Sequence, residues 1–167
     1  GSAFNDLTFN GAGGGWTITD ALTVSNDITI TSAEDVTFNN TVSAATISQA
    51  AGTGTTQFDN TVATTAVGGI DLTGTAFIFS GAVSTTNAGP VSITNSGLLT
   101  IGASGDMNLT GAFLQGGTGL VTTAGDITTT ANAITFTTAT TLSGDVALDS
   151  TNAGGSAGGA TITFQNT

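Results

Sequence analysis

The ionisable side chains available for chemistry in this 167-residue chain are eleven carboxylates. Lys, Arg, His, Cys and Tyr are all absent, so the chain lacks a neutral-pH general base, a thiol nucleophile and a cation for an anionic transition state. A glycosidase needs only two carboxyl groups, and Glu34 and Asp35 are the best pair. Neighbours on one strand face opposite ways, which favours solvated turn charges instead. We therefore expect no enzymatic activity.

Aspartates that follow glycine raise the question of a metal site. Asp106, Asp126 and Asp145 are spaced 20 and 19 residues apart, and carboxylates stacked at that interval would attract Ca²⁺. They do not share one register with the aromatic repeat described below, and the Ca²⁺-binding nonapeptide GGxGxDxUx is missing. Asp beside Gly is typical of turns. We expect no bound cofactor, with Ca²⁺ as the less favoured alternative.

The net charge of -11, reached without a single basic residue, limits the partners. Nucleic-acid binding depends on cations that replace condensed counterions, so it is excluded. Anionic membrane surfaces are disfavoured by the same repulsion. No stretch approaches the roughly 20 apolar residues of a spanning helix, so we expect no membrane insertion.

A repeat of six residues predicts the strands that would position these carboxylates. Its pattern is apolar, variable, Phe or Leu, variable, Asn/Gly/Thr, Ala/Thr. Its copies are LTFNGA, VTFNNT, TQFDNT, FIFSGA, MNLTGA, ITFTTA and ITFQNT. Alternate residues of a strand face opposite ways, so the third position of each copy is an inward anchor. The anchors, which we interpret as a core ladder, are Phe9, Phe38, Phe58, Phe79, Leu109, Phe136 and Phe164.

A turn residue follows each anchor by two positions, with Thr138 as the exception. Gly and Asn tolerate positive φ, which predicts a sharp left-handed corner after each strand. The predicted turn residues are Gly11, Asn40, Asn60, Gly81, Gly111 and Asn166.

The anchor spacings of 29, 20, 21, 30, 27 and 28 residues predict a stack of coils. A strand-turn unit of this size buries its inner face against its neighbours. We therefore predict that residues 1–167 form a single all-β segment, a parallel β-solenoid of about six or seven coils, within a longer chain or a polymer. The spacings of 27 to 30 then indicate an added strand or a protruding loop. An antiparallel β-sandwich is the alternative.

Strings such as FNDLTFNGAGGGWTITDALTVSNDITIT and DVTFNNTVSAATISQ resemble the Thr/Gly/Asn-rich β-strand repeats of giant bacterial surface proteins, including filamentous-haemagglutinin-like and autotransporter-like adhesins. This resemblance implies an exported, extended protein at the bacterial cell surface or outside the cell. It also implies that host-surface glycans are bound through other regions.

These expectations define a non-catalytic structural protein, either the shaft of an adhesin or the building block of a filament that self-associates end to end or laterally. Carbohydrate binding and ice binding are the alternative functions. Ice binding is raised by the Thr-x-Thr strings at 17–19, 29–31, 135–137 and 161–163. An ice face needs such pairs on the same side of every coil, whereas these strings fall at irregular intervals.

One break in the outward pattern indicates a lateral contact. Ile78 lies between Phe77 and Phe79, so alternation places it outside, and the same alternation places Leu98 and Leu114 outside. These three residues form a predicted contact patch for a neighbouring rod or for a covering loop between Phe79 and Leu109.

Overall fold

The computed structural model describes residues 4–11 and 13–166 of the chain, and these residues form strands joined by short turns without any helix. Twenty-two β-strands are arranged in three parallel sheets. Within the described residues, no helix has the length and apolar character needed to span a membrane.

The first sheet contains eight strands: β1 (Leu7–Asn10), β4 (Asp27–Ser32), β7 (Thr46–Gln49), β10 (Ile70–Gly74), β13 (Val91–Asn95), β16 (Phe113–Gly117), β19 (Ile134–Phe136) and β22 (Ile162–Phe164). The second contains seven: β2 (Trp16–Ile18), β5 (Val36–Phe38), β8 (Thr55–Phe58), β11 (Ala76–Phe79), β14 (Leu99–Ile101), β17 (Val121–Thr123) and β20 (Thr140–Leu142). The third also contains seven: β3 (Leu22–Thr23), β6 (Val42–Ala44), β9 (Val62–Thr64), β12 (Val83–Thr85), β15 (Met107–Leu109), β18 (Ile127–Thr129) and β21 (Leu148–Asp149).

Each coil supplies one strand to each sheet in turn, and every strand from β1 to β19 pairs in parallel with the strand three places further along the chain. The chain is therefore a parallel β-solenoid of about seven coils, with β22 opening an eighth. The predicted fold class is confirmed, and the alternative of an antiparallel sandwich is wrong.

Alternation of apolar residues with Thr or Ser produces these strands, because one face of each strand is buried and the other meets solvent. The first inward position of the first sheet advances by 19 to 23 residues per coil until the last step, which is 28. Its residues are Leu7, Ile28, Ile47, Ile70, Val91, Phe113, Ile134 and Ile162.

The anchor residues lie on three different sheets and form no single ladder. Phe9, Phe136 and Phe164 belong to the first sheet and Leu109 to the third. The other three anchors pair directly on the second sheet. A spacing of 27, 29 or 30 is therefore one coil plus one step to the next sheet, and the inserted strand or loop predicted there is wrong. Only the final spacing of 28 contains an enlarged turn, between β21 and β22.

The three anchors of the second sheet build an aromatic stack inside the rod. The Phe38 and Phe58 ring centroids are 5.0 Å apart with planes 3° from parallel, and those of Phe58 and Phe79 are 5.2 Å apart at 12°. All three side chains are fully buried. Stacked rings fill the interior of three successive coils with one repeated shape, which favours straight stacking.

The turn geometry differs from the prediction. Residues with positive φ are concentrated between the third sheet and the next strand of the first sheet, as at Gly69, Asn87 and Ala131. Asn40 and Gly81 are at corners but are not among them. The expectation of a left-handed conformation after each anchor is therefore wrong at these positions.

Close stacking of backbones explains the glycine at Gly81 and Gly111. A Cβ added to Gly81 would lie 2.6 Å from the Cα of Asn60, one coil away. At Gly111 it would lie 2.6 Å from the carbonyl carbon of Gly89. These corners require a residue without a side chain because the coils approach each other, and not because of an unusual φ.

Gly81→Ala should therefore lower the free energy of unfolding by about 1–3 kcal/mol, because overpacking against a rigid backbone forces the coils apart. Urea denaturation monitored by circular dichroism measures the change. Gly158→Ala is the matched control, since nothing lies within 4 Å of the added Cβ, and it should change stability by less than about 0.5 kcal/mol. Equal effects of the two substitutions would contradict this account of the corner.

Candidate functional site

Aspartates at the starts of strands connect one coil to the next. The Asp106 carboxylate accepts a hydrogen bond from the backbone N–H of Asp126 at 2.9 Å, and Asp126 accepts from the N–H of Ala147 at 2.7 Å. Asp35 accepts in the same way from the N–H of Thr55 at 2.7 Å. Each carboxylate satisfies a backbone donor of the following coil at a corner, where a charge-assisted hydrogen bond is strong.

Asp106 and Asp126 occupy the same position of successive coils, one residue before the paired Met107 and Ile127. Asp145 lies outside this row, which continues at Ala147, so the three aspartates do not share one register, as expected. In the described part of the chain, no three His, Cys, Asp or Glu residues cluster in a way that could hold a metal ion.

The adjacent carboxylates Glu34 and Asp35 are exposed at the corner between β4 and β5. The Asp35 side chain is hydrogen-bonded to the next coil, and its backbone carbonyl accepts from the N–H of Trp16 at 2.8 Å. One member of the pair thus has a structural role in coil stacking.

The enlarged turn after β21 is organised by Asp149. Its carboxylate accepts hydrogen bonds from the Thr151 hydroxyl and backbone N–H, both at 2.6 Å, and from the Ala153 N–H at 2.7 Å. These bonds, the Thr151 hydroxyl first among them, hold the pKa of Asp149 below its usual value of 3.8.

A pH dependence follows from that lowered pKa. The ionised Asp149 carboxylate contributes stability above its unfolded pKa of about 3.8, and this contribution is lost as pH falls through the lower folded value. Asp149→Ala should therefore be less stable than the wild type at about pH 7, and the difference should narrow at about pH 2. Urea unfolding of both proteins across that range measures it. A difference that stays constant with pH would contradict the role of the ionised carboxylate.

Two amides form a buried polar network inside the fifth and sixth coils. Asn95 and Gln115 are fully buried, and the Gln115 Nε2 donates to the Asn95 Oδ1 at 2.8 Å. The Gln115 Oε1 accepts from the Thr137 N–H at 3.1 Å and the Thr138 hydroxyl at 3.1 Å. The Asn95 Nδ2 donates to the carbonyl of Gly97 at 2.6 Å. The network joins three coils at the corner between the first and second sheets.

Gln115→Leu should lower the free energy of unfolding by about 2–4 kcal/mol, because it leaves buried partners such as the Asn95 Oδ1 without hydrogen bonds. Thermal and urea unfolding measure the loss. Gln165→Leu makes the same chemical change at an exposed position and should alter stability by less than about 0.5 kcal/mol. A neutral Gln115→Leu would show that the network contributes little.

Ice binding, one of the alternative functions, would require threonine pairs on the same outward face of every coil. The Thr-x-Thr strings lie on two sheets, with 17–19 on the second and the other three on the first. A single threonine column does exist on the second sheet, interrupted by Gln57 and Ile78. Its residues are Thr17, Thr37, Gln57, Ile78, Thr100, Thr122 and Thr141. Paired threonines do not continue from coil to coil.

The residues of the predicted contact patch lie on two sheets. Ile78 is half-buried on the outer face of the second sheet. Leu98 lies immediately before β14 of the same sheet and is 45% exposed. Leu114 lies on the outer face of the first sheet and is 43% exposed. Leu120 is 59% exposed and occupies the position of Leu98 one coil later. Sequence reasoning missed Leu120, although it precedes Val121 as Leu98 precedes Leu99.

A groove follows the corner between the first and second sheets. One section has a volume of about 410 Å³ and continues into a second of about 350 Å³, with Ser96 and Thr118 shared by both. Apart from Leu98 and Leu120, the walls are small or polar side chains. The lining residues are Ala50, Ala51, Gly52, Thr73, Gly74, Thr94, Asn95, Ser96, Gly97, Leu98, Gly117, Thr118, Gly119 and Leu120.

The predicted core ladder is buried in the middle of the rod and more exposed at its two ends. Phe38, Phe58, Phe79, Leu109 and Phe136 are fully buried. In the outermost coils, Phe9 is half-buried and Phe164 is 38% exposed.

No family model, no curated protein and no solved structure matches the chain. The resemblance to the repeats of giant bacterial surface proteins therefore stays a prediction.

Proposed function

We propose that this chain is a non-catalytic structural element, a rigid spacer that serves as the shaft of an adhesin or as the building block of a surface filament. The observation that carries this proposal is the unbroken first sheet, in which eight parallel strands pair in sequence from β1 to β22. From the resemblance in repeat style, we also propose that the protein is located at the bacterial cell surface or outside the cell. On the same basis, we propose that it binds glycans through other regions.

Rigidity is the property that a spacer needs. Seven steps of about 4.8 Å separate β1 from β22, which gives a stack about 34 Å long. Each of the first six steps is held by backbone hydrogen bonds in three sheets at once, and the seventh in the first sheet. The core is continuous along the stack. Bending requires all three ladders to deform together, so the stack resists bending.

The surface chemistry suits a passive spacer. Outward columns consist largely of Thr, Ser and Asn, as in Thr23, Ser43, Ala63, Ser84, Asn108 and Thr128 on the third sheet. A chain with eleven carboxylates and no cation repels other anionic surfaces. Such a shaft stays extended and hydrated without binding its surroundings nonspecifically.

The end coils favour continuation of the stack. Ile162 and Phe164 on β22 and Leu142 on β20 are large apolar side chains with 39%, 38% and 53% exposure. One edge of β22 faces away from β19, and a free strand edge is a template for pairing. We propose that a further coil, from the same polypeptide or from a second copy, covers this end.

Spin-label distances test the rigid spacer. The chain contains no cysteine, so Thr17→Cys with Thr141→Cys introduces two labels on one outward column, six strand steps apart. Double electron–electron resonance should give a narrow distribution near about 29 Å plus the label arms. Thr37→Cys with Thr141→Cys is the matched control and should be shorter by about 4.8 Å. A broad distribution, or equal distances for the two pairs, would overturn the proposal.

A further inference from the structure

Large apolar side chains are exposed at two kinds of place in the described residues. Four of them, Phe4, Leu142, Ile162 and Phe164, lie in the outermost coils. The other four, Val67, Leu98, Leu114 and Leu120, lie on the side of the rod. Two of these four, Leu98 and Leu120, line the groove between the first and second sheets, and Leu114 lies on the outer face of the first sheet. Apolar surface gathered on one side of an otherwise Thr- and Ser-rich exterior marks an interaction surface.

The leucines form a ridge beside the groove. Leu98 and Leu120 are neighbours in successive coils, about 4.8 Å apart along the rod, and Ile78 is diagonal to Leu98 on the preceding coil. The groove beside this ridge is open because its floor contains residues without side chains, such as Gly52, Gly74 and Gly117. A ridge of two leucines therefore adjoins a channel wide enough to accept side chains.

The loop that was expected to cover this surface does not exist. Residues 80–108 follow the regular path of the solenoid through β12, β13, β14 and β15. None of the described elements folds over Ile78, and Leu98 itself belongs to this segment. In the described residues, this surface is therefore open to solvent.

The distribution of charge on the rod indicates which kind of molecule fits this surface. The residues that line the groove and its ridge include no carboxylate among those described. A cationic partner would be attracted to the rows of aspartates elsewhere on the rod, not to this strip. For a second copy of the chain, every charged contact is repulsive because all ionisable side chains are acidic. Two copies can therefore meet only where carboxylates are absent.

We propose that this side of the rod binds a second copy of the same chain, with the ridge of Leu98 and Leu120 of each copy seated in the groove of the other. A two-fold axis makes such a contact self-complementary, because ridge and groove lie side by side on one surface. The inference concerns the flank of the rod and holds independently of how its ends are joined.

The size of the surface sets the strength of the contact. The groove spans four coils, from Gly52 to Thr118, or about 15–20 Å along the rod. A face of that length and similar width buries about 800 Å² in total, below the roughly 1,200 Å² of stable dimers. Single rods should therefore associate weakly, and aligned rods in a filament should associate strongly through many repeated contacts.

Sedimentation velocity at protein concentrations up to about 1 mM tests this pairing. The wild type should form a dimer, and added salt should strengthen it because salt screens the like charges. The double variant Leu98→Thr/Leu120→Thr should weaken association about tenfold or more, since it removes the ridge. Val67→Thr removes a more exposed apolar residue, 72% exposed at another corner, and should leave association within about twofold.

A charge at the groove provides a second variant that leaves the ridge intact. Thr94→Asp places a carboxylate on an exposed lining position, and a two-fold contact then contains it twice, so association should be lost. Thr23→Asp is the matched control on the outward face of the third sheet, away from the groove and also exposed. It should leave association close to that of the wild type.

Paramagnetic relaxation locates the contact. A nitroxide at Thr73→Cys on one copy should broaden amide signals of residues 96–98 and 118–120 of a second, isotope-labelled copy. No dimer at about 1 mM, or a dimer insensitive to both Leu98→Thr/Leu120→Thr and Thr94→Asp, would overturn the inference. Broadening confined to residues 140–142 and 162–164 would place the contact at the ends and overturn it as well.

Discussion

Parallel backbone pairing between successive coils is the interaction on which the rest of this structure depends. Three sheets share that pairing, so every coil must meet the next at the same interstrand distance on all three faces. The interstrand distance determines which side chains fit at each position of the stack. Gly81 is small because the backbone of Asn60 is close beneath it, and Phe38, Phe58 and Phe79 stack because equal rings repeat at the spacing of the coils.

The same pairing explains how a chain with eleven acids and no base can be stable. Paired strands satisfy their own backbone groups, but corners leave donors free. Asp35, Asp106 and Asp126 accept hydrogen bonds from the backbone of the following coil, and the carboxylates compensate for missing cations by binding amide dipoles. Inside the rod, the side-chain amides of Asn95 and Gln115 are likewise fully hydrogen-bonded. An unpaired polar group would be energetically costly there.

The stacked coils also give the molecule three chemically different surfaces. The ends present strand edges and apolar side chains such as Phe164, the acidic and hydroxylated columns cover most of the flanks, and one corner carries the leucine ridge. In the function that we propose, the first surface extends the rod, the second keeps it hydrated and separate, and the third aligns it with a neighbour. Each role follows from chemistry confined to one region.

Local alternation was enough to predict strands, inward anchors and a parallel solenoid, because the side-chain period of two is a property of each strand by itself. It also placed Ile78, Leu98 and Leu114 on the outside. The sequence did not determine which sheet each strand joins, since that depends on the accumulated lengths of all preceding corners. Only the tertiary structure therefore placed Phe9, Phe58 and Leu109 on different faces, aligned Asp106 with Asp126, and set Leu120 beside Leu98.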